Sequence, residues 1–210
     1  MIDIQSMLLN TFGCMELPRA PFYQYEFALR FELGGEEVST KRPLKRFAQA
    51  FQRAEDIAQL LFQDTAALWV LSSETDYEGR SPSAKALKPL KYSTLSKKDF
   101  HHFNSTTHKE NDSVFDDEYR QHWFAAKLKA PEDLPEVLWL SLAAELGIRP
   151  AIHTQLYFVD FDRKVAMHPY DDRGLDVFAM DRDALLPLFK QRRSWLLEYD
   201  REKMERVFGP

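Results

Sequence analysis

The chain has 210 residues, of which 28 are basic and 33 acidic, and its net charge at neutral pH is −5. This length allows one large domain or two small ones with a buried core, and the mild acidity differs from the basic balance of proteins that grip a nucleic-acid backbone. Seven glycines argue against a glycine-rich phosphate loop, and a single cysteine, Cys14, excludes an internal disulfide and a multi-cysteine zinc site.

The N-terminal third predicts a helix followed by a strand–helix–strand unit. Residues 2–12 are amphipathic, and residues 22–33 alternate apolar and polar side chains well enough for a strand. Pro43 is suited to a helix start, and apolar residues then recur at helical spacing through residue 63. Residues 66–71 form an apolar run that predicts a buried strand.

Residues 72–118 differ in kind, because polar side chains dominate and only isolated apolar residues occur. We expect an insertion that is partly helical near 97–103. Residues 79–98 contain basic and no acidic side chains, whereas residues 110–118 contain five acidic and no basic ones. The segregation indicates either two solvated faces that attract each other or a docking loop for a charged partner. The candidate docking residues are Lys85, Lys88, Lys91, Lys97 and Lys98.

The C-terminal half begins with a predicted strand at 121–128 and a helix at 134–146. Asp133 and Glu136 have the spacing of a capping box at the start of this helix, and Gly147 suits its C-terminal end. The helix is apolar on nearly all sides, so we expect it to be the most buried helix of the fold.

Three strands follow, at 154–161, 165–169 and 175–180, in a pattern that predicts an antiparallel meander. A long helix over 182–199, capped by Asp181 or Asp183 and with Tyr199 on its inner stripe, should cover the meander. A short helix over 201–208 completes the predicted elements.

The densest polar cluster is Asp171-Asp172-Arg173-Gly174, followed by Asp176 and preceded by His168. Neighbouring carboxylates could share a proton, arginine could clamp an anion, and His168 could act as a general acid or base. The alternative is structural: aspartates bind turn amides, and Gly174 supplies the left-handed conformation that closes a hairpin loop. The sequence favours the structural interpretation.

Other catalytic signals are absent from the sequence. It contains no Gly-x-Ser-x-Gly elbow, no Gly-x-x-x-x-Gly-Lys loop and no Gly-x-Gly-x-x-Gly turn. The pair His101-His102 and the nearby His108 have no zinc-ligand spacing. We therefore expect no metal and no cofactor.

The C-terminal residues nevertheless resemble a known family. The string Tyr-Asp-Asp-Arg-Gly-Leu-Asp-Val at 170–177, then Leu-x-Pro-Leu-Phe and Trp-Leu-Leu-Glu-Tyr-Asp, is similar to a widespread bacterial family of uncharacterised domains. Residues 29–34 and 53–62 resemble its N-terminal part. The resemblance supports the predicted elements and implies no activity, cofactor or catalytic residue.

These patterns predict an α+β fold with a mostly antiparallel sheet of about 5–7 strands, covered chiefly on one face by helices. We expect a single domain over 1–210 with the polar insertion at 72–118, or alternatively two lobes at 1–71 and 119–210. The start of the chain lacks the features of a signal peptide, and no apolar stretch is long enough to span a bilayer, so the expected location is cytoplasmic.

The expected function is that of a non-catalytic protein-binding module, with an immunity or antitoxin role as one form of it, whose partner is another protein rather than a nucleic acid or a membrane. Aromatic side chains are sparse among the basic residues of 79–98, which argues against a nucleic-acid partner. The alternative is an enzyme or small-ligand-binding protein that uses Asp171, Asp172, Arg173 and Asp176 with His168. The oligomeric state stays open.

Overall fold

A single antiparallel sheet organises the structure, a computed structural model that describes residues 3–35, 38–109 and 118–209. The strands are β1 (Phe27–Glu32), β2 (Trp69–Asp76), β3 (His101–Lys109), β4 (Glu118–Lys127), β5 (Gln155–Asp160), β6 (Val165–Asp171) and β7 (Gly174–Ala179). The α-helices are α1 (Ile4–Phe12), α2 (Pro21–Gln24), α3 (Pro43–Phe62), α4 (Leu134–Leu142), α5 (Leu186–Gln191) and α6 (Arg201–Phe208).

The seven strands lie in the order β1-β7-β6-β5-β2-β4-β3, and every neighbouring pair is antiparallel. The predicted α+β class and antiparallel sheet are thus confirmed. Strands β5, β6 and β7 form the predicted meander. Strand β1 adds to one side of the meander, and β2, β4 and β3 add to the other, so both halves of the chain contribute to one sheet.

Helices cover both faces of the central strands, whereas the sequence predicts cover chiefly on one face. Phe178 of β7 contacts Phe12 of α1 and stacks on Tyr25 with ring centroids 4.3 Å apart, so the N-terminal residues cover that face. The opposite face, which includes Met167 and Val177, is equally buried. Helices α3 and α4 contact β6 and cover this second face.

Helix α3 forms where its apolar spacing predicts it. It begins at Pro43, whose fixed φ suits the first helical turn. Its inner positions bury Phe47, Ala54 and Ile57, and Phe47 contacts Trp139 of α4 edge-on with ring centroids 4.4 Å apart. The two helices therefore form one layer on the sheet.

The predicted capping box of α4 is wrong. A 3-10 turn, Pro131–Asp133, precedes the helix, and the Asp133 carboxylate accepts from the Ala130 amide at 3.3 Å. The Glu136 carboxylate accepts from the amide of Thr94 at 2.9 Å, so it anchors a distant loop instead of its own helix start.

Much of the segment 72–118 belongs to the sheet. Strand β2 extends to Asp76, a 3-10 segment spans Lys85–Tyr92, and β3 spans His101–Lys109. The predicted helix near 97–103 is wrong, because these residues form turns and the start of β3. Polar residues fit an edge strand, since one face of an antiparallel ribbon can remain solvated. Most of the acidic run, residues 110–117, lies outside the described residues.

The predicted long helix over 182–199 is also wrong. Helix α5 ends at Gln191, and after a 3-10 turn the chain becomes extended at Leu196, which pairs with Phe31 of β1. Tyr199, predicted on the inner stripe, is 88% exposed. Pairing with the free edge of β1 satisfies backbone groups that a continuous helix would leave open.

The predicted strand over 22–33 starts later than expected. A short helix, α2, occupies its first residues, and β1 begins only at Phe27. Pro21 stands in the first turn of α2, where a proline is well accommodated.

Candidate functional site

The C-terminal hairpin turns through two residues, Asp172 and Arg173, between paired Asp171 and Gly174. Gly174 does not adopt the left-handed conformation that the sequence predicts. Glycine is needed there for space, because a Cβ would lie 2.6 Å from the carbonyl oxygen of Phe31 and would also clash with the Tyr170 hydroxyl. The hairpin tip is thereby pressed against β1.

Two of the hairpin aspartates are bound to arginines. The Asp171 carboxylate accepts from the backbone amide and Nε of Arg173, both at 2.7 Å, which is the local turn arrangement. The Asp172 carboxylate pairs instead with Nε of Arg46, which reaches it from α3. Both carboxylates are buried. The Arg46 side chain is buried as well, so its pair with Asp172 is shielded from solvent, whereas the Arg173 side chain is 75% exposed.

The third aspartate holds an arginine of β1. Arg30 donates from Nε and Nη2 to Asp176 at 2.7 and 2.9 Å, a bidentate pair, and from Nη1 to Asp200 at 3.3 Å. Asp176 also accepts from the Phe22 amide at 3.2 Å and is fully buried. Burial alone would lower the pKa of Arg30, but the hydrogen bonds and charge of Asp176 outweigh it and raise that pKa.

His168 is placed in the core and away from solvent. Its Nδ1 donates to the carbonyl oxygen of Leu156 at 2.9 Å, and its ring stacks on Tyr157 with centroids 4.1 Å apart. Burial lowers its pKa, so the imidazole is neutral near neutral pH. Its Nε2 has no hydrogen-bond partner among the described residues. His168 of β6 lies directly opposite Asp176 of β7 in the antiparallel register, so the two side chains are on the same face of the sheet.

The arginines that bind the aspartates share one cavity of about 550 Å³. Its polar lining comes from Arg19, Arg30, Glu32, Arg46, Tyr170 and Arg173. The structure thus brings the hairpin residues together with three arginines that are distant in sequence. Sequence reasoning missed Arg19, Arg30 and Arg46, because none of them lies in a motif that signals a binding site and they are far apart in the sequence.

A second and larger concavity, of about 1030 Å³, contains most of the candidate docking lysines. We call it the lysine groove. Its cationic side chains are those of Lys88, Lys91, Lys97, Lys98 and Arg149. Its apolar lining comes from Pro89, Tyr92, Pro150 and Ala151. No carboxylate lines the groove among the described residues.

Two features define the lysine groove further. Lys85, the fifth candidate, is exposed on the same 3-10 segment but does not line the groove. Tyr92 is 63% exposed, and the ammonium of Lys91 lies 4.8 Å from the centroid of its ring, a cation–π distance. The groove therefore combines an apolar surface with a positive rim.

A polar cluster that the sequence does not signal lies on β2, β3 and β4. Ser105 Oγ is 2.8 Å from Nε2 of His102 and 2.7 Å from Nδ1 of His122. One hydroxyl proton serves only one of these bonds, so one imidazole accepts from the serine and the other donates to it. A register shift between His102 and Asn104 places His102 and Ser105 on one face.

The geometry of this cluster does not identify Ser105 as a catalytic nucleophile. Asp76 Oδ2 lies 3.9 Å from Nε2 of His122, beyond hydrogen-bonding distance, and the same carboxylate accepts from the backbone amides of Glu78 and Arg80. The Asp76 carboxylate therefore orders the turn after β2. It does not hold the imidazole of His122 as the aspartate of a catalytic triad holds its histidine.

The lone thiol and those acidic side chains that the structure describes give no sign of an activated or metal-binding centre. Cys14 is half-buried 3.5 Å from the Tyr25 hydroxyl, and burial raises the pKa of its thiol. Among residues 3–35, 38–109 and 118–209, no three His, Cys, Asp or Glu side chains are grouped so that they could hold a metal ion. Within the same ranges no helix is both long and apolar enough to cross a membrane.

Comparison with known proteins places the chain in a family. Residues 4–200 match the family model described as a domain of unknown function, DUF3885. The chain is similar to the uncharacterized protein YnaE of Bacillus subtilis strain 168, with 22% identity over 204 residues that cover 90% of this chain and 94% of that protein. No solved structure matches. The resemblance to a family of uncharacterised domains is thus confirmed, and the chain belongs to the DUF3885 family.

Proposed function

We propose that this protein is a non-catalytic protein-binding module and that the lysine groove is its docking surface. The observation that carries the proposal is the cluster of four lysines and one arginine around an apolar surface with no described carboxylate among them. An acidic protein should otherwise disperse its basic side chains among acidic ones. The concentration of like charge supports a role in binding an oppositely charged partner.

The partner is a segment of another protein that carries acidic side chains around an apolar or aromatic residue. Its carboxylates would meet Lys88, Lys91, Lys97 and Lys98, and its apolar residue would pack on Tyr92 and the prolines. The volume of about 1030 Å³ suits a short peptide segment. A module that neutralises a toxin, as the immunity-type hypothesis holds, would be one instance, and a cytoplasmic location is part of this proposal.

A nucleic acid fits the groove less well. Binding of single strands relies on aromatic faces that are open for base stacking. Tyr92 is the one phenylalanine, tyrosine or tryptophan of the described lining, and Lys91 already lies over its face. The phosphate backbone would meet cations here but no stacking platform.

The geometry supports the enzymatic alternative less well than it supports a protein-binding role. A general acid or base must reach a substrate, whereas His168 is fully buried and bonded to a carbonyl oxygen. Asp171, Asp172 and Asp176 are each held by an arginine, so none presents a free carboxylate for proton transfer or metal binding. The small-ligand alternative then depends on the arginines and not on the acids.

Fluorescence anisotropy with a labelled peptide of glutamates around a phenylalanine tests the proposal. The paired change Lys88→Glu and Lys91→Glu should weaken binding on the order of tenfold or more, because it reverses charge at the groove rim. Lys85→Glu is the matched control and should leave the affinity nearly unchanged, since Lys85 lies outside the groove.

Three other results would contradict the proposal. The peptide could fail to bind, the control variant could lose affinity as much as the paired variant, or a single-stranded DNA could bind the groove more tightly than the peptide at the same salt concentration. Replacing the phenylalanine of the peptide by alanine should also weaken binding, because the apolar part of the groove then has no partner.

A further inference from the structure

The cavity beside the C-terminal hairpin is lined by arginines from four different parts of the chain. Arg19 precedes α2, Arg30 lies on β1, Arg46 on α3 and Arg173 in the hairpin turn. Glu32 is the only carboxylate among the described residues of the lining. Four guanidinium groups therefore face one volume of about 550 Å³ in a protein whose net charge is negative.

The hairpin aspartates orient three of these four guanidinium groups. Asp172 holds Arg46, Asp176 holds Arg30 and Asp171 holds Arg173. The three carboxylates are at most 6% exposed, so the surface that faces the cavity is that of the arginines. Ordering the guanidinium groups in advance lowers the entropic cost of binding an anion.

Close packing at two glycines maintains this arrangement. A Cβ at position 34 would lie 2.6 Å from Cζ of Arg46, so Gly34 leaves the path along which Arg46 reaches Asp172. The clash at Gly174 similarly depends on the Tyr170 hydroxyl, which lines the cavity. Both glycines thus leave room for side chains that line the cavity.

Several donors that line the cavity have no partner among the described residues. Arg46 uses Nε and Nη1 for Asp172 and for the carbonyl oxygens of Gly35 and Val38, which leaves Nη2. Arg173 uses Nε and Nη2 for Asp171, which leaves Nη1. The exposed Arg19 forms no hydrogen bond or ion pair with a described residue.

We propose that this cavity binds the phosphate group of a small phosphorylated metabolite. Donors that converge from Arg19, Arg46, Arg173 and Tyr170 suit a tetrahedral group with three free oxygens better than a planar carboxylate, which one guanidinium fork can satisfy. The volume exceeds that of a bare phosphate and lies in the range of small-ligand sites. Glu32 is placed to accept hydrogen bonds from hydroxyl groups of the ligand.

Calorimetric titration with ribose 5-phosphate and, separately, with pyrophosphate tests this site. At least one of the two should bind, whereas ribose without phosphate should not. Arg19→Gln should weaken binding on the order of tenfold, because it removes a charge-assisted donor. Arg120→Gln, an exposed arginine on β4 outside the cavity, is the matched control and should bind as the unchanged protein does.

Arg19 is exposed and unpaired among the described residues, so its replacement should leave the melting temperature unchanged. A difference in affinity between the Arg19→Gln variant and the unchanged protein then reports on binding and not on folding. Absence of binding by both phosphates, or equal affinity of the Arg19→Gln and unchanged proteins, would overturn the proposal.

The site is independent of the lysine groove. The variant Lys88→Glu with Lys91→Glu should therefore bind the phosphate probe normally, so either proposal can fail alone.

Discussion

At the scale of single residues, buried carboxylates that hold arginines dominate the C-terminal hairpin. Asp176 is the most enclosed of them, with no exposed surface and three hydrogen-bond donors around it. Removing one partner of a buried ion pair leaves the other charge without compensation, which costs more than the pair contributes. This asymmetry makes the hairpin sensitive to changes that preserve its shape.

We therefore expect Asp176→Asn to lower the free energy of unfolding by about 3 kcal/mol, because Arg30 loses its bidentate carboxylate partner in a buried place and keeps only the longer contact with Asp200. Asp183→Asn is a suitable control, since that carboxylate is 81% exposed and should change stability by less than about 0.5 kcal/mol. Urea denaturation of the two variants measures the difference. Equal stabilities would show that Asp176 is not the anchor described above.

Gly174→Ala should also destabilise the fold, by about 2–3 kcal/mol, because the new Cβ meets a backbone oxygen that cannot move aside. Gly79→Ala provides the comparison: nothing lies within 4 Å of its Cβ position, and its positive φ costs only about 1 kcal/mol. Thermal unfolding should rank the Gly174 variant clearly below the Gly79 variant. The opposite order would refute the steric role.

His168 predicts a defined pH dependence. Burial lowers its pKa below the ordinary value of 6.5, an effect that its bond to Leu156 and the charge of Asp176 oppose only in part. As the pH falls through that value the unfolded chain binds a proton that the folded protein does not, so stability is lost toward acid.

Between about pH 7.5 and about pH 5.5 the unchanged protein should lose about 1 kcal/mol that His168→Asn does not lose. Urea denaturation at the two pH values measures both slopes. Identical slopes would mean that His168 titrates in the folded state as it does in the unfolded chain.

The sequence predicts only part of this residue-scale organisation, for a physical reason. The bond between Asp171 and Arg173 spans two residues and follows from turn chemistry. The partners of Asp172 and Asp176 lie 126 and 146 residues away. A local pattern contains no information on such pairs, so the arginine-lined cavity emerges only from the folded chain.

At the scale of elements, the segment 72–118 contributes to the core as well as to the surface. Leu90 of the 3-10 segment has no exposed surface. Leu90→Ala should lower the free energy of unfolding by about 3 kcal/mol through lost burial and a residual cavity. Leu44→Ala, at a side chain that is 75% exposed, should change it by less than about 0.5 kcal/mol. A mild effect at Leu90 would instead fit a loosely attached insertion.

Elements held by local patterns are those that the sequence predicts well. Helix α3 forms as expected because its helical periodicity and Pro43 agree, and the β5–β6–β7 meander forms as expected because short apolar runs alternate with polar turns. The predicted left-handed conformation of Gly174 was not needed for the hairpin to form. The prediction of one helix over 182–199 fails because Leu196 pairs with β1. This contact between distant residues overrides the local helical preference. Strand β3 was missed because its solvated side chains lack the alternation of a half-buried strand.

At the scale of the whole molecule, charge is distributed unevenly. The net charge is −5, yet the lysine groove and the arginine-lined cavity each concentrate positive side chains. The two surfaces use different parts of the sequence and different chemistry: ammonium groups beside an apolar surface in one, and oriented guanidinium groups in the other. A protein partner could therefore bind in the groove while a small anion is bound in the cavity.

The most direct test of the protein-binding account is amide hydrogen exchange with and without the acidic, phenylalanine-containing peptide. We expect slower exchange on peptide binding in residues 85–98 and 149–153, which surround the groove, and no change in the C-terminal hairpin. Protection confined to other surfaces, or unchanged exchange at peptide concentrations that saturate the anisotropy signal, would contradict the assignment of the groove as the docking surface.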